Sequence, residues 1–104
     1  MAIIYNLTIQ VEKSVASQWL QWLTTEHIPQ ILATGCFSGY RLVRLLEVDE
    51  TEGLTYAVQY EAQSKADYNR YIELHANAMR QLAYDKWGQR FIAFGSVMEV
   101  VHQV

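Results

Sequence analysis

The chain has 104 residues, which is enough for one domain with one hydrophobic core. Apolar residues make up 51% of it, with seven Tyr and three Trp, and this composition excludes an intrinsically disordered chain. The net charge is −3 and the eight basic residues form no run, which argues against a nucleic-acid-binding protein.

The sequence also carries signals for the compartment. Cys36 is the only cysteine and cannot form an internal disulfide, which is typical of a reducing environment. The N-terminal residues lack the basic and long apolar segments of a secretion signal. No stretch approaches the ~18 apolar residues of a transmembrane helix. We therefore expect a cytoplasmic protein that does not associate with membranes.

Four strands are predicted from period-2 patterns and from turn residues. Residues 3–12 and 54–62 alternate between apolar and polar side chains, which indicates strands with one face in the core. Residues 37–48 and 90–102 are the other two predicted strands. An acidic loop tip, predicted to lie in solvent, joins the second strand to the third.

The first helix is predicted to begin after an N-cap at Ser14. Its apolar spacing places four side chains on an inner face: Val15, Trp19, Trp22 and Leu23. Pro29 lacks an N–H, so we expect either a kink there or a second short helical piece that begins at Pro29. Gly35 is the predicted end of this region.

The second helix is predicted to run from an N-cap at Ser64 to Asp85 or Trp87, before Gly88. Its predicted inner face is apolar with one histidine near the centre, and consists of Tyr68, Ile72, His75, Met79 and Leu82.

The order strand, helix, strand, strand, helix, strand predicts one α+β domain over residues 1–104, a ferredoxin-like βαββαβ fold. Its antiparallel sheet would carry both helices on one face. Both alternating sets of the fourth strand are apolar, so the opposite face also needs a cover. A second copy of the chain is the economical cover, and two sheets packed face to face would form a dimeric α+β barrel.

Several strings resemble a small bacterial family of unknown function. They are Ile4-Tyr5-Asn6, Trp19-x-x-Trp22-x-x-x-Glu26-His27-Ile28-Pro29, Ala33-Thr34-Gly35, Tyr56-x-Val58-Gln59-Tyr60 and Phe91-Ile92-Ala93-Phe94. That family resembles the dimeric α+β barrel proteins, which include cofactor-free monooxygenases, polyketide cyclases, haem-degrading enzymes and binders of small ligands. The resemblance implies a cavity between helices and sheet, and no particular activity.

Three residues are candidates for proton transfer. His75 lies in the middle of a predicted apolar face, where it is either a hydrogen-bonded core histidine or a general base or axial ligand in a pocket. The pitch of the first helix places Glu26 with the two tryptophans and His27 at the edge. His27 either bonds a carbonyl left free at the kink, such as that of Thr25, or lines a pocket mouth beside Glu26.

Six aromatic side chains are candidates for ligand binding because they offer flat faces and polar handles: Trp19, Trp22, Tyr56, Tyr60, Tyr68 and Tyr71. Met79, on the inner face of the second helix, is the seventh candidate for this pocket. The alternative is that they form core or dimer contacts. The histidines and the cysteine stand at unrelated spacings and no glycine loop could hold a phosphate. Neither a metal nor a bound cofactor is therefore predicted.

Three functions follow from these residues. The first is binding or transformation of a small flat organic molecule without a bound cofactor, and the second is a non-enzymatic dimeric interaction module. The third is haem binding or degradation with His75 as axial ligand. Haem-degrading enzymes carry a tryptophan where this chain offers Tyr60, and their first-strand asparagine lies on the apolar face, whereas Asn6 lies opposite.

Overall fold

The fold is built on one antiparallel sheet. The structure is a computed structural model that describes residues 1–104. The strands are β1 (Ile3–Val11), β2 (Gly39–Arg44), β3 (Leu54–Ala62) and β4 (Phe91–Glu99), in the order β2-β3-β1-β4. All three neighbouring pairs are antiparallel. This order confirms the predicted α+β, ferredoxin-like fold.

Two helical regions pack on one face of the sheet. The first consists of α1 (Ala16–Trp22), a π-helical turn (Leu23–His27) and α2 (Ile28–Leu32). The second consists of α3 (Lys65–Leu74) and α4 (Ala76–Trp87). None of these helices combines the length and the apolarity that a membrane crossing requires.

The predicted helix ends have mixed outcomes. Ser64 caps α3, because its Oγ accepts a hydrogen bond of 3.1 Å from the Asp67 N–H. Gly35 and Gly88 both adopt positive φ at helix ends, 77° and 57°, a conformation that disfavours a Cβ. The prediction for Ser14 is wrong, since it lies inside a 3₁₀ turn and makes no capping bond.

The second helical region is not the continuous helix that was predicted. His75 separates α3 from α4 with φ −129° and ψ −31°. The His75 N–H still donates to the Tyr71 carbonyl at 2.9 Å and the His75 carbonyl accepts from the Met79 N–H at 3.1 Å, so His75 remains hydrogen-bonded to both helices. The break shifts the phase of the second half, which leaves Leu82 45% exposed and buries Ala76 and Trp87.

The core lies between the helices and the sheet face that carries the odd-numbered residues of β1. Ile3, Tyr5, Ile9 and Val11 are buried there by the helical regions. Trp19 is the largest nearly enclosed side chain, at 2% exposure. Each Å² of apolar surface that these side chains bury contributes roughly 25 cal/mol, and this burial is the main force that holds the helices on the sheet.

β4 lies at the sheet edge and is exposed on both faces. Its register with β1 places Val97 opposite Tyr5 on the helix-facing side and Phe94 opposite Thr8 on the other side. Val97 is 47% exposed, and Phe94 and Ile92 are 63% and 69% exposed. The helices therefore cover only part of the sheet, and the face that carries Phe94 and Ile92, here called the open face, has no helix on it.

Candidate functional site: the helix–sheet cavity

A cavity of about 640 Å³ opens between the helices and the side of β1 that faces them, and at the sheet edge it extends along β4 as far as Phe94 and Ser96, which alternate to the other face. Of its 22 lining residues, 18 are hydrophobic. Pockets for small molecules in proteins span ~300–1,000 Å³ and are lined mainly by apolar and aromatic side chains. Both the size and the lining of this cavity therefore fit a small organic ligand.

The π-helical turn decides which side chain of the first helical region enters the cavity. The Ile28 N–H bonds the Leu23 carbonyl, five residues earlier, where an α-helix would bond four residues earlier. The hydroxyl of Thr25 accommodates the wider turn by donating to the Gln21 carbonyl at 2.6 Å. The extra residue rotates the following positions, so His27 faces inward and Glu26 faces solvent.

His27 is the one buried imidazole of the cavity. It is 7% exposed and stacks on Trp22 with ring centroids 4.5 Å apart and an interplanar angle of 20°. Its Nδ1 atom is buried and has no hydrogen-bond partner in the chain. Burial lowers the pKa of His27 to about 4, so the ring is neutral at physiological pH and one nitrogen can accept a hydrogen bond.

Aromatic rings surround this histidine. Trp22 also contacts Trp87 edge-on, with centroids 5.9 Å apart, and the buried Trp87 Nε1 has no partner either. A buried polar atom without a hydrogen bond costs about 1–3 kcal/mol. Of the two residues only His27 lines the cavity, so its Nδ1 atom is the one for which a ligand of the cavity could be the partner.

A tyrosine cluster lines the cavity as well. Tyr5 lies 5.6 Å from Tyr68 and 5.9 Å from Tyr71, measured between ring centroids. Burial, together with the neighbouring tyrosines, raises the pKa of Tyr60 and Tyr71 above the usual value of a phenol. These hydroxyls therefore remain protonated and are available as hydrogen-bond donors.

The structure places most of the seven candidate ligand-binding residues at the cavity wall. Six of the seven line the cavity: Trp19, Trp22, Tyr60, Tyr68, Tyr71 and Met79. Tyr56 does not, because it is buried beneath Trp19 with ring centroids 5.5 Å apart. Period-2 and 3.6-residue patterns were sufficient to place these residues on the inner faces of strands and helices.

The three candidates for proton transfer are not brought together. His27 lines the cavity, Glu26 is exposed, and His75 packs on Tyr71 at 6.2 Å between centroids, outside the lining. His27 also makes no bond to a carbonyl of the kink, contrary to the structural alternative. No three side chains of His, Cys, Asp or Glu converge as metal ligands would.

Four polar lining residues were missed by the sequence reasoning: Tyr5, Arg80, Tyr84 and Ser96. Tyr5 was assigned only to the core, and Arg80 was assigned no role, yet both line the cavity. Arg80 follows the buried Ala76 by four residues, a spacing that puts two side chains on the same helix face. That spacing could have identified Arg80 once the break at His75 was known.

Solved structures with the same fold have low sequence identity to this chain. A mutant of SnoaB, a cofactor-independent oxygenase from Streptomyces nogalater, is 9% identical, with a TM-score of 0.72 over 99% of this chain and 96% of that one. A dimeric ferredoxin-like protein from an uncultured marine organism is 16% identical, with a TM-score of 0.72 over 100% and 98%. A second such protein is 12% identical, with a TM-score of 0.65 over 99% and 98%. At these identities the similarity shows the fold alone.

Comparison by sequence leads to a family without an assigned activity. No curated protein matches the chain. The model of a domain of unknown function, DUF4286, matches residues 2–101, which is nearly the whole chain. The protein therefore belongs to this family of unknown function, as the resemblance of its motifs indicated.

Proposed function

We propose that this protein binds a small, flat organic molecule in the helix–sheet cavity. The observation that carries the proposal is the buried Nδ1 atom of His27, which has no hydrogen-bond partner in the chain although its ring lines the cavity. Buried polar atoms in native proteins nearly always have a partner. A ligand with a hydrogen-bonding group would supply it.

The shape of the ligand follows from the rings that surround His27. Trp22 and His27 are stacked nearly parallel, and Trp19 also lines the cavity. Flat walls of this kind favour a planar molecule, because stacking adds about 0.5–1.5 kcal/mol per aromatic pair beyond the burial of area.

The chemistry available to such a ligand is proton transfer through His27. A neutral imidazole in an apolar pocket accepts a hydrogen bond from a hydroxyl or an acidic C–H of the ligand. Its depressed pKa, about 4, makes it a weak base that would bind or polarise a substrate more readily than deprotonate it. Ligand binding is therefore the primary function in this proposal, and transformation of the ligand is secondary.

The active form in this proposal is a homodimer joined through the open face. Phe94, Ile92 and Met98 project from β4 on that face and are 63%, 69% and 41% exposed. Contiguous apolar side chains on one face mark an interaction surface. The proteins of the same fold that are dimeric support a second copy of the chain as the cover.

Ligand binding can be tested with 2-naphthol as the probe and tryptophan fluorescence as the readout. Ala83 lines the cavity and Ala78 on the same helix is exposed outside it. Replacement of Ala83 by Phe should fill the cavity and weaken probe binding at least about tenfold, as expected when a ring no longer fits. Ala78→Phe is the matched control and should bind as the wild type does. Equal binding by all three proteins, or none by the wild type, would contradict the proposal.

The dimer is tested by light scattering. The wild type should have twice the chain mass of 12.1 kDa, and Ile92→Glu, which places a charge in the interface at a residue that does not line the cavity, should have the mass of one chain. Leu46 is 75% exposed in the loop between β2 and β3 and is not part of a strand, so Leu46→Glu should remain dimeric. A wild-type particle with the mass of one chain would refute the dimer.

A further inference from the structure

Arg80 is the only formally charged side chain among the residues that line the cavity. The other polar side chains there are the neutral His27, Ser96 and the tyrosine hydroxyls. No carboxylate lines the cavity, although the chain as a whole is acidic, with a net charge of −3. A ligand in this cavity therefore meets one positive charge and no negative one.

The guanidinium of Arg80 has no ionic partner. The two ion pairs of the chain join Arg44 to Glu50 and Arg70 to Asp67, and neither involves Arg80. The one side-chain hydrogen bond of Arg80 within its own helix runs to Asn77 Oδ1 and is long, at 3.5 Å. Most of its five N–H donors are thus free to bind an acceptor that the chain does not provide.

Tyrosine hydroxyls lie beside this cation. The Tyr5 hydroxyl is the neighbour that most strongly raises the pKa of Arg80, with Tyr71 and Tyr68 contributing further. Tyr5 reaches this position by crossing Gly95 of β4, where an added Cβ would lie 3.2 Å from the Tyr5 Cε1 atom and 3.6 Å from its hydroxyl oxygen. The glycine therefore leaves the space in which the Tyr5 ring lies.

We propose that the ligand of the cavity is a flat aromatic carboxylate whose anionic group is held by Arg80 with help from the Tyr5 hydroxyl. This inference rests on the proposed function and names the chemical class of its ligand. A planar guanidinium binds a carboxylate through two parallel N–H···O bonds, and phenol hydroxyls add donors to the same oxygens. The aromatic walls bind the rest of the molecule.

The test compares two probes of nearly equal shape, 2-naphthoate and 2-naphthamide, by isothermal titration calorimetry at fixed ionic strength. The wild type should bind the carboxylate about tenfold or more tightly than the amide, the ratio expected for a hydrogen-bonded charge. Arg80→Met should lose this preference while keeping the affinity for 2-naphthamide, which shows that the cavity is intact. Arg80→Lys keeps the charge without the planar fork and should retain only part of the preference. Arg90→Met is the matched control, because Arg90 is exposed as Arg80 is but does not line the cavity.

The outcomes separate this inference from the proposal on which it depends. Equal affinities of the wild type for both probes, or a preference that survives in Arg80→Met, would overturn the carboxylate class and leave the binding function in place. If the wild type binds neither naphthalene probe nor 2-naphthol, both proposals are wrong. If 2-naphthol binds and 2-naphthoate does not, the carboxylate proposal alone is wrong.

Discussion

The unpartnered imidazole of His27 predicts a specific loss of stability in acid. Burial holds its pKa at about 4 in the folded chain, against 6.5 when it is unfolded and solvated. Between pH 6.5 and pH 4 the His27 imidazole is protonated in the unfolded chain and neutral in the folded chain. The free energy of unfolding therefore carries no penalty from His27 above pH 6.5. It falls as the pH drops from 6.5 toward 4, and the penalty grows no further below the folded pKa.

The size of this effect follows from the shift in pKa. Each unit corresponds to about 1.4 kcal/mol, so the interval from 6.5 to 4 corresponds to about 3 kcal/mol. Solvent that enters the cavity would stabilise the imidazolium, so we expect about 2–3 kcal/mol in practice. Such a loss is a large part of the ~5–15 kcal/mol that stabilises a typical native domain.

The assay is urea unfolding at one protein concentration, near pH 7 and near pH 4, on the wild type and His27→Leu. Other groups also titrate in this range, so the informative quantity is the difference between the two proteins. The wild type should lose about 2–3 kcal/mol more than His27→Leu. Replacement of the exposed His102 by Gln serves as the control and should keep the wild-type pH dependence.

Two results would refute this reasoning. One is an equal loss of stability in the wild type and in His27→Leu. The other is an NMR titration that places the His27 imidazole near its ordinary pKa in the folded protein, because solvent or an unseen partner would then satisfy the ring.

Three further predictions concern stability and are measured by chemical denaturation. Trp19→Ala should cost about 3–5 kcal/mol, because the indole is 2% exposed and its removal leaves a void, and a loss below ~1 kcal/mol would show that the site collapses. Ser64→Ala should cost about 1 kcal/mol through the lost bond to the Asp67 N–H, and Ser64→Thr, which keeps the hydroxyl, should cost less. Gly53→Ala should cost about 1–3 kcal/mol, since the new Cβ would lie 2.5 Å from the backbone oxygen of Val11; a neutral effect would mean that the loop moves freely.

The sequence patterns predicted the bounds of some strands and not of others. Residues 54–62 alternate strictly, and β3 begins and ends at those residues. The predictions for residues 37–48 and 90–102 were too long, because apolar residues continue past the last ladder bonds of β2 and β4. Side-chain periodicity fixes which face is buried, but the ends of a strand depend on the length of its neighbour.

In the candidate site, the sequence predicted the aromatic walls but not which polar side chains enter the cavity. The aromatic walls could be predicted, because large apolar side chains at regular spacing turn inward whatever the details of the backbone. The choice between Glu26 and His27 could not, since it depends on one extra residue in a π-helical turn. The same is true of His75, which a break in the helix moves out of the cavity lining.

The sequence by itself determined the order of the elements, the sheet face that the helices cover and the apolar character of both faces of the fourth strand. These three features follow from the alternation of apolar residues in strands and from their spacing in helices, both of which are visible in a single sequence. Only the tertiary structure decided that His27 is buried without a partner and that Arg80 lies beside Tyr5. Both arrangements depend on small rotations of one helix against distant strands, and a pattern along the chain does not encode such rotations.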